Sequence, residues 1–135
     1  MDQRRQLIAV SVVVDVAAVV LFAAIGSRSH EGGGIGEVLT VAAPFVIGTL
    51  LGWLLSPIAR DAPMSVRAGV HVWLATLAIG VLARRFVFGR GTAAAFVVVT
   101  AIVLAALIIG WRWIRATVVR RRAVRSPRPP SRAER

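Results

Sequence analysis

The 135-residue chain contains no cysteine, tyrosine, lysine or asparagine, and it has six acidic residues against 17 basic ones. The absence of cysteine excludes disulfide bonds, thiol catalysis and thiolate metal sites. All 17 basic residues are arginine, a bias typical of a bacterium with a GC-rich genome. Polar residues are sparse overall, since 57% of the chain is hydrophobic, against roughly 45–50% in a soluble domain. This composition indicates that lipid, rather than water, surrounds most of the chain.

Long apolar runs dominate the sequence. Four stretches approach or reach the roughly 17–25 residues that cross a bilayer as a helix, and they cover residues 7–25, 38–55, 66–83 and 93–113. The second half of the first stretch, VAAVVLFAAI, is apolar on every side, whereas a helix of a soluble bundle keeps a polar stripe. We therefore predict an all-α polytopic membrane protein, with four transmembrane helices in residues 1–115 and a disordered Arg/Pro-rich tail in residues 116–135.

A cleaved signal peptide is the alternative interpretation of the first stretch. Arg4 and Arg5 resemble the basic start of such a peptide, and AIG before Ser27 resembles a small-residue cleavage site. However, the apolar run is longer than the roughly 7–15 residues of a signal peptide core, and Asp15 lies inside it. The pattern favours a retained membrane helix.

The basic residues predict the orientation. With four spans, 13 of the 17 arginines fall on the side of the two termini and four fall on the other side. Basic residues collect on the cytoplasmic side of membrane proteins. We therefore expect a cell-membrane protein with both termini in the cytoplasm, although the third connection, RRFVFGRG, is itself basic.

The ends of the predicted helices carry capping and interfacial residues. Ser65 and Thr92 are candidate N-caps of the third and fourth spans. Three tryptophans, Trp53, Trp111 and Trp113, fall near the cytoplasmic ends of their spans, where aromatic belts occur. They are interpreted as interfacial anchors.

The second span contains GTLLG, a GxxxG motif formed by Gly48 and Gly52. Such spacing lets two helix backbones approach closely, either within a chain or between copies. Pro44 lies four residues upstream and is expected to kink the helix. These three residues are predicted to mediate helix packing, and a homo-oligomer is one possible result.

The first connection, GSRSHEGGGIGEV, is rich in glycine but matches neither of the glycine-rich phosphate motifs. It is expected to be an external loop, and His30 and Glu31 are its only candidates for chemistry. One histidine with nearby carboxylates is too few ligands for a metal site. We expect no metal and no cofactor.

The clearest candidate site is Asp15, which lies about eight residues into the first span. A charged aspartate there costs about 2.5–3.5 kcal/mol on insertion scales, so a partner is expected. His71, at a similar depth in the third span, is the predicted partner, with Ser11 and Arg67 each one helical turn from a member of this pair. Thr100, in the fourth span, is a further polar candidate.

Three roles for Asp15 and His71 stay open. Asp15 can be a buried hydrogen-bonding residue that holds helices together. Asp15 and His71 can instead form a protonatable pair on a proton or ion path. His71 can also be a haem or metal ligand. Because no nucleophile–base pair or carboxylate pair occurs at a workable spacing, we do not expect an enzyme.

Several segments resemble a family of small four-span membrane proteins. That family occurs in actinobacteria and haloarchaea and is catalogued as a domain of unknown function. The resemblance covers about residues 7 to 115 and is most specific between Asp15 and Glu31. It implies a membrane location and four spans, but no reaction. The segments that carry it are VDVAAVVLFAAIGSRSHE (14–31), AAPFVIG (42–48), GW (52–53), GVHVW (69–73), GRGTAAAF (89–96) and WRW (111–113).

Small multidrug antiporters offer a looser similarity, because they also have four spans and a carboxylate within the first. Asp15 matches that carboxylate only in residue type and approximate depth. The aromatic residues of their drug site have no counterpart here.

Taken together, these features of the sequence predict a structural or accessory helical bundle, with a proton-coupled transporter or ion-conducting oligomer based on Asp15 and His71 as the alternative.

The tail, RRRAVRSPRPPSRAER, begins with Arg120, Arg121 and Arg122, which are expected to extend the fourth span as a helix. The three prolines that follow end it. Besides the bilayer itself, anionic lipid headgroups are the expected partner, at roughly 1 kcal/mol per arginine near the surface. No aromatic residue interleaves the arginines, so a nucleic-acid partner is not expected.

Overall fold

The computed structural model describes residues 2–28 and 34–125, and within these ranges every regular element is a helix. This confirms the predicted all-α fold. The helices are α1 (Gln3–Ser27), α2 (Ile35–Leu55), α3 (Pro57–Asp61), α4 (Val66–Phe86), α5 (Ala94–Ile108) and α6 (Gly110–Arg125).

Four helical runs are long and apolar enough to cross a membrane: α1, α2, α4, and α5 together with α6. Across the junction of the last two, the amide of Ile109 donates to Ala105 and the amide of Trp113 donates to Ile109. The fourth run is therefore nearly continuous. It extends to Arg125, which confirms the predicted helical extension through Arg120, Arg121 and Arg122. The prediction of a disordered tail is wrong for residues 116–125, because arginine is a good helix former once the helix has left the apolar region.

Local capping sets the helix starts around the second connection. The Ser65 hydroxyl accepts a hydrogen bond from the amide of Ala68 and caps α4, as predicted. The short helix α3 starts with Pro57 after Ser56, whose hydroxyl caps it in the same way. Thr92 is not the cap of α5, since the N-cap residue is Ala93 and makes no side-chain hydrogen bond.

The four long runs close a ring in the order α1, α2, α4, α5. In this ring α1 packs on α2 and α5, while α4 packs on α2 and α5, so α1 and α4 lie diagonally. We call the end of the bundle that carries residue 2 and residue 125 the termini end, and the opposite end the far end. The diagonal arrangement separates the two helices that carry Asp15 and His71.

The closest packing is between α2 and α4, where the GxxxG motif lies. A Cβ atom at Gly48 would be 2.8 Å from the carbonyl oxygen of Thr76, and one at Gly52 would be 2.8 Å from the Cβ of Ala75. The motif is thus used within one chain, against α4. Helix α2 continues through Pro44, which is buried.

In the interior, Phe22 and Phe45 make an edge-to-face contact at a centroid separation of 5.8 Å. Val19, Val72, Leu104 and other buried apolar side chains complete it. Large apolar residues also cover the outside, as expected for helices that face lipid tails.

Candidate functional site

Asp15 is the most unusual residue of the bundle, because its carboxylate is wholly buried among apolar helices. It faces the interior from the middle of α1, and its side chain has no exposed surface. Burying an unpaired carboxylate would be prohibitive. The site is therefore defined by what surrounds this acid.

Arg112, in α6, is the direct partner of Asp15. Its Nη1 and Nη2 atoms donate to Oδ1 and Oδ2 of Asp15, each at 2.7 Å. The guanidinium also has no exposed surface. Two parallel, charge-assisted bonds of this kind fix both the distance and the relative orientation of the two groups.

Two further N–H groups of Arg112 donate to backbone carbonyls. Nε donates to Pro63 at 3.2 Å, and Nη1 also donates to Ile108 at 2.7 Å. Since Pro63 belongs to the second connection, the arginine joins the fourth run to the chain between α3 and α4. Gly69 provides the room, because a Cβ there would be 2.9 Å from Cδ of Arg112.

Two tryptophans complete the coordination of the carboxylate. The indole nitrogen of Trp53 donates to Oδ2 of Asp15 and that of Trp111 donates to Oδ1, both at 3.0 Å. Each carboxylate oxygen therefore accepts one bond from Arg112 and one from a tryptophan. The rings also flank the guanidinium, with Trp111 at 4.3 Å and Trp53 at 5.8 Å from its central carbon.

We call these four residues, Asp15, Trp53, Trp111 and Arg112, the Asp15 cluster. It combines side chains from α1, α2 and α6, and Arg112 links it to Pro63 in the second connection. Its formal charges cancel, and its four donors occupy both oxygens. The arrangement can hold helices together strongly, but it leaves the carboxylate no exposed surface at which to exchange a proton with water.

The contact expected between Asp15 and His71 is not made. His71 is exposed on α4, and its Nδ1 lies 2.8 Å from the carbonyl oxygen of Arg67 in its own helix. Arg67 is exposed as well. The reason is topological, since α1 and α4 are diagonal in the ring and His71 points outward.

Other candidates from the sequence are placed as follows. Ser11 is buried one turn from Asp15, but its hydroxyl has no hydrogen-bond partner among the described residues. Thr100 is also buried, at the far end of the bundle. His30 and Glu31 lie outside the described residues. Within residues 2–28 and 34–125, no group of three or more His, Cys, Asp or Glu side chains is placed to hold a metal ion.

The interpretation of the tryptophans as interfacial anchors is wrong for two of the three. Trp53 is buried and Trp111 is half-buried, and both point toward Asp15. Only Trp113 of this group faces outward, with 62% of its surface exposed. The burial of an acid nearby explains the difference, because an indole N–H stabilises a carboxylate that water cannot reach.

Arg112 was missed because the fourth span was predicted to end at residue 113, which made Arg112 look like an interfacial charge. One signal pointed to it. Arg112 lies inside the predicted fourth span, residues 93–113, and the start of the first span and the end of the fourth are on the same side of the membrane. A basic residue inside the last span is therefore a candidate partner for an acid inside the first span.

Comparisons with known proteins support one part of the resemblance, the match to a domain of unknown function. No curated protein and no solved structure matches the chain. A family model described as "Protein of unknown function (DUF3054)" matches residues 12–115, which include every member of the Asp15 cluster. Since this match covers most of the chain, the protein belongs to the DUF3054 family.

Proposed function

We propose that this protein is an integral protein of the cell membrane whose helical bundle has a structural or accessory role. The observation that supports this most directly is the saturation of Asp15, whose two oxygens accept four hydrogen bonds inside a closed contact. The acid acts as a fixed connection between helices.

The Asp15 cluster connects parts of the chain that are far apart in sequence. Asp15 and Arg112 are separated by 97 residues, and Asp15 and Trp53 by 38. Through the bond to Pro63, the same arginine also holds the second connection. One cluster thus constrains α1, α2, α6 and the chain before α4, which is what a rigid scaffold needs.

A proton-coupled transporter or ion-conducting oligomer based on Asp15 and His71 has less support. Protonating the carboxylate would weaken its two bonds to Arg112 and leave a buried cation without its counter-charge. His71 faces away from the acid. A proton path through Asp15 and His71 would need a rearrangement that brings the two residues together. It would also need a route by which water reaches Asp15.

The test is a double-mutant cycle on the ion pair. Removing one member of a buried pair costs about 3–5 kcal/mol, whereas replacing both by apolar residues is often neutral. We expect Asp15→Leu and Arg112→Leu each to lower the unfolding free energy in detergent micelles strongly, and the double variant to recover most of the loss. Liposomes that contain the wild-type protein should show the same proton flux as liposomes that contain Asp15→Asn.

A matched control exists in the same chain. Arg4 and Asp61 form an exposed ion pair that also joins α1 to another element. Exposed pairs contribute about 0–1 kcal/mol, so Arg4→Leu and Asp61→Leu should have small effects. If proton flux depends on Asp15 and the double-mutant cycle shows no coupling between Asp15 and Arg112, the structural role is wrong and the transporter is favoured.

The orientation and lipid contacts of the protein are part of the same proposal. Both termini are placed in the cytoplasm on the basis of the arginine distribution. Arg120, Arg121 and Arg122 extend α6 beyond the apolar region and are exposed. They are proposed to contact anionic lipid headgroups, and replacing all three by Gln should lower the anionic lipid retained on purification from mixed membranes. The rest of the predicted tail, residues 126–135, lies outside the described residues.

A further inference from the structure

A second polar region lies at the far end of the bundle, where a cavity of about 420 Å³ opens between the helices. Its size is within the roughly 300–1,000 Å³ of small-molecule sites. The lining combines charged and polar residues with aromatic ones, which include Phe22, Ser27, Glu37, Arg84, Phe96 and Thr100. The Asp15 cluster is not part of it.

The described residues that line the cavity carry a net positive charge. Arg90 is paired with Glu37 through two hydrogen bonds, of 2.8 and 3.4 Å. Arg84 contributes a second guanidinium, which donates from Nε to the carbonyl of Gly91 at 3.2 Å. Among the described residues of the lining there are one carboxylate and two guanidinium groups, which leaves one positive charge.

Two polar atoms of the lining lack partners. Nη1 of Arg84 and Oγ1 of Thr100 are buried, and neither has a hydrogen-bond partner among the described residues. Thr100 has no exposed surface at all. Leaving a buried donor unpaired costs about 1–3 kcal/mol, and more for a charged group. Both residues line the cavity, so these two atoms are the groups that a polar ligand entering it could pair.

Most of the remaining lining is apolar, and one of its rings holds the Arg84 guanidinium in place. The central carbon of the Arg84 guanidinium lies 4.3 Å from the centroid of the Phe96 ring, a cation–π contact that restricts its movement. Phe22, Val41 and Val99 continue this surface. The ligand that fits best has a negative group at one end and an apolar body.

We propose that this cavity binds an amphiphilic monoanion, with the anionic group on Arg84 and Thr100 and the apolar part against Phe22 and Phe96. The ligand is either a soluble medium-chain carboxylate or an anionic lipid, which share this chemistry. The proposal goes beyond the structural role of the bundle and does not depend on the Asp15 cluster.

Calorimetric titration of octanoate into the purified protein, in an uncharged detergent, tests the soluble ligand. We expect saturable binding that Arg84→Gln weakens about tenfold or more, since a charge-assisted hydrogen bond is lost. Arg85→Gln is the matched control, because Arg85 is the next residue of α4, is exposed and does not line the cavity. Octanamide, the neutral analogue, should not bind in the cavity. The heat of its titration therefore measures partition into the micelle, which is subtracted from that of octanoate.

Native mass spectrometry of the protein extracted from mixed membranes tests the lipid. Retention of phosphatidylglycerol by the wild type and by Arg85→Gln, with its loss in Arg84→Gln, would identify a lipid as the occupant. Thr100→Val, which nearly preserves volume, should weaken the same ligand several-fold while leaving the melting temperature nearly unchanged. If neither octanoate nor phosphatidylglycerol distinguishes wild type from Arg84→Gln, the cavity holds only water and the proposal is wrong.

Discussion

The hydroxyl oxygens of Thr49 and Thr76 lie 3.0 Å apart in the buried contact between α2 and α4. Each hydroxyl is also within hydrogen-bonding distance of a carbonyl in its own helix, of Phe45 at 2.9 Å and of Val72 at 2.8 Å. The two hydroxyls have only two protons for these three contacts. One threonine therefore donates to the other while the second donates to its own helix.

The first prediction concerns this pair. Thr49→Val and Thr76→Val should each lower the unfolding free energy slightly, because the remaining hydroxyl can still donate to its own helix. The double-mutant cycle should give a coupling of about 0.6 kcal/mol, the typical value between membrane helices. Thr117→Val, at an exposed hydroxyl, should show no coupling with either. Strictly additive effects of Thr49→Val and Thr76→Val would mean that the two hydroxyls do not interact.

The second prediction is that Gly48→Ala destabilises the bundle by about 1–3 kcal/mol, the range for overpacked interiors. The added methyl group would meet the backbone of Thr76 and of Gly80, which cannot move aside as a side chain can. Gly110→Ala is the control, since nothing lies within 4 Å of a Cβ there. Chemical unfolding in mixed micelles measures both, and equal effects would contradict the close approach of α2 and α4.

The third prediction is that Trp53→Phe lowers stability by about 1.5–3 kcal/mol, the contribution of a hydrogen bond to a charged group. The substitution keeps an aromatic ring but removes the donor to Oδ2 of Asp15. Trp113→Phe, at an exposed ring, should change the unfolding free energy by less than about 0.5 kcal/mol. A loss of the same size in both variants would show that ring volume, and not the hydrogen bond, matters at Trp53.

The fourth prediction tests the orientation, and the absence of native cysteine makes each introduced thiol unique. Val87→Cys places a label on an exposed residue at the far end of α4, and Ser131→Cys places one in the C-terminal tail. A membrane-impermeant maleimide should react with the first in intact cells and with the second only after permeabilisation. The opposite pattern would place the termini outside the cell.

The sequence predicts the helices well because hydropathy and length are properties of each segment alone. Four membrane-capable helices are found, and Ser65 caps the third of them. The helical extension through Arg120, Arg121 and Arg122 is confirmed as well, but the disordered tail was predicted to begin too early, because residues 116–125 are polar and still helical. Losing the apolar pattern marks the edge of the membrane rather than the end of a helix.

The site could be predicted only in part, because contacts between spans depend on their arrangement. Asp15 was recognisable as a buried acid from its apolar neighbours. Its partner was not, since a chain of four spans allows several arrangements, and the diagonal placement of α1 and α4 became visible only in the structure. Trp53 and Trp111 fit an interfacial belt equally well on sequence grounds, and only the orientation of their rings separates the two interpretations.

The distance along the chain between Asp15 and Arg112 also has a consequence for biosynthesis. The ribosome adds Arg112 97 residues after Asp15, which at about 5–20 residues per second takes about 5–20 s. During this time α1 carries an acid without its counter-charge, although Trp53 becomes available earlier. A nascent chain that stops before Arg112 keeps that acid without its counter-charge, so an incomplete product differs chemically from the finished bundle.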